Sequence, residues 1–221
     1  GDPWSKIPNF QGAQEAAFKL SEFDFWKASR VVKSNPDRAQ AWVRLYALQD
    51  GKKIYTPVPE LTRDFPFLLL DPEILEKRGI TFEEVMYSDG AMLHGQRVNF
   101  TEMEPMDICV VGSVAASIAG GRMGKGGGFA DLEMGIFRSI GTLSRTCPIV
   151  TTISEIQIVE NAKISLEAHD TPLDWIITPE RAIKSQNTLP QPGPIDWNLM
   201  QEDQFLKIPF LRRLREELSR K

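Results

Sequence analysis

The apolar positions of this chain repeat with two different periods. Apolar residues three or four positions apart predict helices, and short runs rich in apolar and β-branched residues predict strands. The two kinds of segment alternate along most of the chain, which predicts a doubly wound α/β sheet. The predicted strands are residues 29–33, 53–56, 67–70, 108–111, 148–153, 156–159 and 175–177.

Two helical patterns lie in the first quarter of the chain. The first spans residues 11–20, and the second follows the turn at residues 35–37 and stops before Gly51. Asp37 is predicted to be the N-cap of the second helix, because its carboxylate can accept hydrogen bonds from the free N–H groups of a helix start. Arg44 lies in the same helical pattern and is predicted to be a solvated charge rather than a phosphate ligand.

A glycine-rich segment separates the apolar run 108–111 from a helical run at residues 132–143. Residues 120–131 contain six glycines, together with Arg122 and Lys125. A strand, a glycine-rich loop and a helix start favour phosphate binding, because the loop lets backbone N–H groups approach an anion and the helix N-terminus adds partial positive charge. Asp131, in the first turn of that helix, is placed to meet a divalent cation carried by the phosphates.

The spacing of this loop excludes two common phosphate-binding motifs. A Walker A loop needs Ser or Thr directly after its lysine, whereas Gly126 follows Lys125. The dinucleotide-binding fingerprint needs a third glycine where Phe129 stands. The alternative is a flexible surface hairpin, but ordering so many glycines costs backbone entropy, so a loop without a ligand has little reason to carry them.

Residues 122–131, Arg-Met-Gly-Lys-Gly-Gly-Gly-Phe-Ala-Asp, resemble the Arg-Leu-Gly-x-Gly-x-Gly-Tyr-Tyr-Asp signature of 5-formyltetrahydrofolate cyclo-ligases, also called methenyltetrahydrofolate synthetases. Residues 107–111 resemble the family's Asp-Leu-Ile strand, and residues 169–180 resemble its Asp-x-x-Val-Asp segment and closing strand. Further segments are similar to a divergent branch seen in archaea and in an animal domain-containing relative. These segments are residues 7–10, 33–37, 194–197 and 208–211.

The resemblance implies a three-layer α/β/α fold of the NagB/RpiA/CoA-transferase type, with a mostly parallel sheet. It also implies a ligase of one-carbon metabolism that uses ATP and Mg²⁺ to close 5-formyltetrahydrofolate to 5,10-methenyltetrahydrofolate. Arg122 and Lys125 are the implied catalytic residues, and Asp131 and Asp170 are the implied metal ligands. The implied folate contacts are Lys125, Gly126, Gly127, Gly128 and Phe129. The implied ATP contacts are Gly121, Arg122, Met123, Gly124, Lys125, Gly126, Gly127, Gly128 and Phe129.

The chain departs from the family signature at Gly127, Phe129 and Ala130. The family's N-terminal Lys-x-x-x-Arg clamp is not recognisable, with Lys6 the only nearby cation, and residues 35–37 replace the acidic motif on the pterin side. The ATP half of the reaction is therefore better supported than the folate half. Two alternatives stay open, which are a nucleotide-binding regulatory protein without turnover and an interaction module that acts through its C-terminal helix.

Several acidic and basic residues near the signature also have a purely structural interpretation. Asp131 can simply complement the dipole of its helix, and Asp170 can shape a turn before Pro172. His169 is expected to be a surface residue, and Asp174 is expected to end a strand in solvent.

A change in composition after Lys184 divides the chain into two units. Residues 1–184 are predicted to be a single α/β domain that binds nucleotide and folate. Residues 185–221 are predicted to be an extended connector followed by an amphipathic helix. Packing of this helix on its own domain is preferred over binding of a partner.

Composition and charge narrow the class of protein. A length of 221 residues and a net charge of −4 are typical of a globular domain and argue against a nucleic-acid surface. The sequence shows neither an apolar run of about 18 residues that could span a membrane nor a signal-peptide core, so we expect a cytoplasmic monomer or homodimer whose partners are ATP and a reduced folate. Cys109 and Cys147 are predicted to be packed thiols in buried strands.

Overall fold

A computed structural model describes residues 6–58, 66–167, 169–198, 200, 205–206 and 208–219. The helices are α1 Ala13–Ser21, α2 Asp24–Ala28, α3 Ala41–Gln49, α4 Pro72–Lys77, α5 Phe82–Val85, α6 Ser88–His94, α7 Phe129–Ile140 and α8 Pro209–Ser219. The strands are β1 Val31–Ser34, β2 Lys53–Pro57, β3 Phe67–Leu70, β4 Gln96–Val98, β5 Ile108–Val111, β6 Ala115–Ser117, β7 Arg122–Met123, β8 Ile149–Thr152, β9 Ile158–Val159, β10 Trp175–Ile177 and β11 Ala182–Lys184.

An eight-stranded sheet with the order β11-β10-β8-β5-β1-β2-β3-β4 forms the centre of the fold. The strands from β10 to β2 are parallel to their neighbours, whereas β11, β3 and β4 pair antiparallel at the edges. A small second sheet has the order β7-β6-β9. Every residue of β1, β5 and β8 is buried, as expected of parallel strands that helices cover on both faces.

Side chains alternate between two hydrophobic clusters along each central strand. Val31 of β1 packs in a cluster with α7 and α8, whereas the next residue, Val32, packs in a cluster with α1 and α3. The same alternation holds in β5 for Cys109 and Val110. The sheet is therefore the middle layer of three, and the predicted α/β/α fold with a mostly parallel sheet is confirmed.

The C-terminal helix α8 contributes to the core of the domain. Leu211 and Leu214 are buried in the same cluster as Phe137 of α7, and the ring of Phe210 stacks on that of Phe100 at a centroid distance of 4.4 Å. The boundary at residue 184 stays a prediction, and parts of both predicted units lie outside the described residues.

Most predicted elements agree with the observed ones to within one or two residues at their ends, and β4, β6, β7 and β11 were not predicted. Two further differences concern β9 and α7. The predicted strand 156–159 is a short 3₁₀ turn, Glu155–Gln157, followed by β9. Gln157 closes this turn, since its Oε1 accepts from the N–H of Ser154 at 2.9 Å. Helix α7 begins at Phe129 rather than at residue 132, because Gly128 at φ 64° provides its N-cap, and it ends before Gly141 at φ 81°.

The two cysteines are buried, free and close to one another. Cys109 lies in β5, as predicted, but Cys147 lies in the bend before β8 and not in a strand. The pKa of the Cys147 thiol is raised, mainly by its interaction with the Cys109 thiol and to a lesser extent by burial. Over the residues that the structure describes, no helix has the length and apolar character needed to cross a membrane.

Candidate functional site

Strands β1 and β5 lie side by side, and the chain leaves them in opposite directions. From β1 it passes through α3 to β2 on one side, and from β5 it passes through α7 to β8 on the other. Such a reversal opens a crevice beyond the carboxyl ends of the two strands, which is where open α/β sheets bind ligands. The turn at residues 35–37 follows β1, and Gly112 follows β5, so both border this crevice.

The glycine-rich loop connects the β6–β7 hairpin to α7. It spans residues 124–128, and Gly126 and Gly128 adopt positive φ angles of 89° and 64°. Gly128 is the N-cap of α7 and has no side chain to cover the first N–H groups of the helix. The loop therefore presents a helix N-terminus to the crevice, the arrangement that favours an anion.

Lys125 extends from this loop to the turn that follows β1. Its Nζ donates to Asp37 Oδ1 at 2.8 Å, and the side chain of Asp37 is only 9% exposed. Asp37 is the N-cap residue of the 3₁₀ turn Arg38–Gln40 that leads into α3, as predicted, but the predicted capping hydrogen bond is absent. Its side chain is instead the counter-ion of Lys125. The ion pair brings the predicted phosphate loop to the carboxyl end of β1.

Arg122 and Asp131 form a second ion pair at the base of the loop. Arg122 Nη2 donates to Asp131 Oδ2, and the backbone N–H of Thr171 donates to Asp131 Oδ1 at 2.9 Å. Both carboxylate oxygens of Asp131 thus have protein partners. The adjacent Asp170 accepts from the N–H of Glu167 at 2.8 Å, so its side chain shapes a turn next to the Asp131 contact.

Arg44, predicted to be solvated, is only 1% exposed. Its guanidinium donates to the carbonyl oxygens of Asn35, Pro36, Asp37 and Met86. Burial lowers the pKa of Arg44 to about 10, against an opposing effect of Asp37. The sequence carried a signal for this, because Arg44 lies three residues after Ala41 and four before Leu48, on the apolar face of α3.

A buried ion pair that sequence reasoning missed connects β1 to α7. Lys33 Nζ lies 2.6 Å from Glu133 Oε2, and Lys33 also donates to the side chain of Asn35. The side chains of Lys33 and Glu133 are 0% and 4% exposed. Burial raises the pKa of Glu133, and Lys33 opposes this effect. A lysine within the Val-Val-Lys-Ser strand was the available signal, since charged residues are almost never fully buried unless paired.

Two buried acceptor atoms at the crevice have no hydrogen-bond donor among the described residues. They are Asp37 Oδ2 and Gln40 Oε1. The other end of the Gln40 amide is fixed, because Nε2 donates to the carbonyl oxygen and to Oγ1 of Thr152, each at 3.2 Å. A methyl group placed on Gly112 would lie 2.8 Å from Asp37 Oδ2 and 3.1 Å from Gln40 Oε1, so both atoms border the same point.

Other predicted site residues have structural contacts of their own. The ring of Phe129 packs against Gly127, where a β-carbon would lie 2.6 Å from it, and Phe129 also packs on the hydrophobic core. The N–H of Gly121 donates to Ser117 Oγ at 3.2 Å inside the hairpin, whereas Met123 is exposed. The ligand roles proposed for all of these residues stay predictions.

The predictions for the two residues on either side of residues 170–173, His169 and Asp174, have different outcomes. His169 is exposed, as expected, with Nε2 3.7 Å from Asp170 Oδ1. Asp174 does not end a strand in solvent, because it is half-buried and accepts from the N–H of Ile149 at 2.8 Å. Burial raises the pKa of Asp174, and the Ile149 hydrogen bond opposes this effect.

Comparisons with known proteins agree with the glycine-loop signature. The sequence profile of the 5-formyltetrahydrofolate cyclo-ligase family matches residues 4–179. Methenyltetrahydrofolate synthase domain-containing proteins of Bos taurus and Homo sapiens are 35% and 34% identical to the chain, covering 96% and 95% of it. The chain spans about half the length of these relatives, 55% and 54% respectively.

A solved structure supports the fold. The NMR structure of Aquifex aeolicus 5,10-methenyltetrahydrofolate synthetase matches with a TM-score of 0.51 at 16% identity. The match covers 86% of this chain and 88% of that one. At this identity the likeness is one of fold, and it extends over most of both chains.

Proposed function

The chain belongs to the 5-formyltetrahydrofolate cyclo-ligase family, and we propose that it closes 5-formyltetrahydrofolate to 5,10-methenyltetrahydrofolate with ATP and Mg²⁺, releasing ADP and phosphate. The observation that carries this proposal is the glycine loop at the β1–β5 crevice. There the N-terminus of α7, Lys125 and Arg122 lie on one side, and the turn at residues 35–37 lies on the other.

The chemistry requires positioning and charge neutralisation more than a protein nucleophile. The formyl oxygen attacks the γ-phosphorus, and the bond from that phosphorus to the β–γ bridging oxygen breaks to release ADP. N10 of the folate then attacks the formyl carbon and loses its proton, and the phosphorylated oxygen leaves as phosphate. Negative charge develops on the transferred phosphoryl group, where fixed cations and N–H groups are most effective.

Both cations of the predicted phosphate site, Lys125 in the loop and Arg122 in β7, have protein counter-ions in this structure. Lys125 pairs with Asp37, and Arg122 pairs with Asp131. We propose that phosphate oxygens replace Asp37 at Lys125, the more exposed of the two cations, while Arg122, in β7 of the hairpin, holds the base of the loop. The substrate thus exchanges one ion pair for another and does not enter a site of unbalanced positive charge.

Magnesium would neutralise charge on the β- and γ-phosphates. Asp131 and Asp170 offer the carboxylate oxygens that Mg²⁺ prefers, so the residues fit the ion chemically. Each carboxylate oxygen of Asp131 already accepts a hydrogen bond. A metal ion there would bind to a second lone pair of one of these oxygens or would displace Arg122. The assignment to Asp131 and Asp170 rests on the resemblance alone and stays a prediction.

The folate contacts are proposed for residues 125–129, beside the phosphates. The ring of Phe129 takes the place of a tyrosine in the family signature, and stacking of an aromatic ring on a flat pterin contributes about 0.5–1.5 kcal/mol beyond area burial. Because that ring already packs against Gly127, we expect its contribution to depend on the loop conformation.

The test is turnover with purified protein, ATP, Mg²⁺ and 5-formyltetrahydrofolate. We expect the methenyl product to appear in the absorbance trace with one ADP released per product, and no ADP without the folate. ATP binding without ADP release would instead indicate the second candidate, a nucleotide-binding protein without turnover. The departures at Gly127, Phe129 and Ala130 are the features that favour that candidate.

A further inference from the structure

The ion pair at the crevice joins a fixed carboxylate, that of Asp37, to a lysine with room to move. Asp37 belongs to the turn whose three carbonyl oxygens bind the buried guanidinium of Arg44, and its own side chain is only 9% exposed. Lys125 is 44% exposed, and its neighbour Gly126 lies in open space, since a β-carbon added there would meet nothing within 4 Å. The pair can therefore open by movement of Lys125 while Asp37 stays in place.

The surroundings of the Asp37 side chain suit an amide better than a carboxylate. Asp37 Oδ2 and Gln40 Oε1 are both buried without a hydrogen-bond donor among the described residues. They lie 2.8 Å and 3.1 Å from the point that a β-carbon on Gly112 would occupy, so two acceptors border one position. An asparagine would offer an N–H donor where Oδ2 stands. Because unsatisfied buried acceptors are costly and few, a carboxylate at this position indicates that its negative charge has a role.

The partner of Asp37 indicates what that role is. We propose that Asp37 competes with the phosphates of the nucleotide for Lys125, and thereby lowers the affinity of the site for ATP. The inference rests on the proposed function, which assigns Lys125 to the phosphates. Lys125 Nζ donates to Asp37 Oδ1 at 2.8 Å, so a phosphate oxygen gains this lysine only when the ion pair opens.

Opening the pair is unfavourable because it leaves a buried carboxylate without its cation. Lys125 is the only ion-pair partner of Asp37 among the described residues. A buried charge that loses its partner is strongly destabilising, so part of the free energy of phosphate binding is offset by the state in which Asp37 is left. This free energy is recovered when Lys125 returns to Asp37, which favours release of the products.

The second ion pair of the site is built differently. The side chains of Arg122 and Asp131 are 8% and 13% exposed, and the N–H of Thr171 also holds Asp131. Of the two pairs, only Lys125–Asp37 combines a buried anion with an accessible cation. The competition is therefore assigned to Asp37, and Asp131 has no part in it.

The experiment is isothermal titration calorimetry with Mg²⁺ and a non-hydrolysable ATP analogue, comparing the unchanged chain with Asp37→Asn. We expect the variant to bind the analogue about 10-fold more tightly, the lower end of the range for a hydrogen bond to a charged group, because Lys125 is partly exposed. Asp37→Ser, which also removes the charge, should bind more tightly as well. Melting curves identify the folded variants, and a folding defect lowers affinity, so it does not imitate this result.

Two controls separate competition for Lys125 from a general effect of removing negative charge. Asp89→Asn removes an exposed carboxylate from α6, whose first residue, Ser88, donates to the carbonyl oxygen of Pro36 in the same turn. This variant should bind the analogue as the unchanged chain does. In a chain that already carries Lys125→Ala, Asp37→Asn should change the affinity by less than about 2-fold, because no lysine is left to compete for.

The outcomes separate this inference from the proposed function. If neither the unchanged chain nor any variant binds the analogue, both are wrong. If the unchanged chain binds it and the folded Asp37 variants bind no more tightly, the competition is wrong and the proposed function stands. The same conclusion follows if Asp37→Asn tightens binding equally in the Lys125→Ala chain, or if Asp89→Asn tightens it as much.

Discussion

Arg44 shows how one residue can fix the geometry of a site that it does not reach. Its guanidinium binds three successive carbonyl oxygens of the turn at residues 35–37, and a fourth at Met86. The turn carries Asp37, the partner of Lys125. Arg44 is therefore a positioning residue, since it holds the backbone that presents the carboxylate to the crevice.

Arg44→Met should destabilise the fold, because it removes the donors of four carbonyl oxygens around a buried position. We expect the free energy of unfolding in urea to fall by about 3 kcal/mol or more, at about 1–3 kcal/mol per buried acceptor left without a partner. Arg30→Met, at an exposed position, should change it by less than about 0.5 kcal/mol. Equal effects of the two substitutions would contradict the role given to Arg44.

Lys125 is the residue on which the phosphate assignment depends most. Lys125→Ala should weaken binding of ATP by about 1.5–3 kcal/mol, the scale of a hydrogen bond to a charged group. Isothermal titration calorimetry measures the ATP affinity of each variant, and Lys163→Ala, at an exposed position, is the control. Unchanged ATP affinity in both Lys125→Ala and Arg122→Ala would rule out the phosphate loop.

At the scale of elements, the contact between α7 and β1 determines where the glycine loop lies. Lys33 and Glu133 join the two elements deep in the protein. Lys33 lies two residues before the turn at residues 35–37, and Glu133 lies about one helical turn after the loop. Arg122–Asp131 and Lys125–Asp37 add two contacts nearer the surface. The loop is thus held by ion pairs at three depths, and the outermost, Lys125–Asp37, includes the most exposed of the six side chains.

A double-mutant cycle tests the buried pair. Lys33→Met and Glu133→Leu should each lower the free energy of unfolding by about 3–5 kcal/mol, because each leaves an uncompensated buried charge. The double variant should be more stable than either single one, since it leaves neither charge. Strictly additive effects, measured by urea unfolding, would show that the two residues do not depend on each other.

The elements themselves were largely predictable, and the site contacts were not. Local patterns predicted the buried strands and α3, because burial on both faces leaves continuous apolar runs. Arg44 was predicted to be solvated although its position on the apolar face of α3 indicated burial. The ion pair of Asp37 with Lys125 could not be predicted, since partners 88 residues apart leave no local signal. The glycine loop was identifiable because its composition reflects a backbone requirement, and backbone requirements are local.

At the scale of the whole molecule, the described residues divide between the two faces of one sheet. Helices α1 and α3 cover one face, and α7 and α8 cover the other. Helix α8 comes last in the chain but packs beside α7, the helix that carries the glycine loop at its N-terminus. The core around α7 therefore includes a segment that lies beyond the 4–179 match to the family.

Leu211→Ala tests whether α8 is part of the domain or a separate binding element. Leu211 is buried in the cluster of Phe137, whereas Leu206, just before the helix, is 62% exposed. Leu211→Ala should lower the free energy of unfolding by about 2–5 kcal/mol, the usual cost of removing a buried leucine side chain. Leu206→Ala should change it by less than about 0.5 kcal/mol.

A helix that only binds a partner would show no difference between the two variants in urea unfolding of the isolated chain. If the helix is part of the domain, Leu211→Ala should also lower the urea concentration at which ATP binding is lost, because α7 and the loop lose their support together.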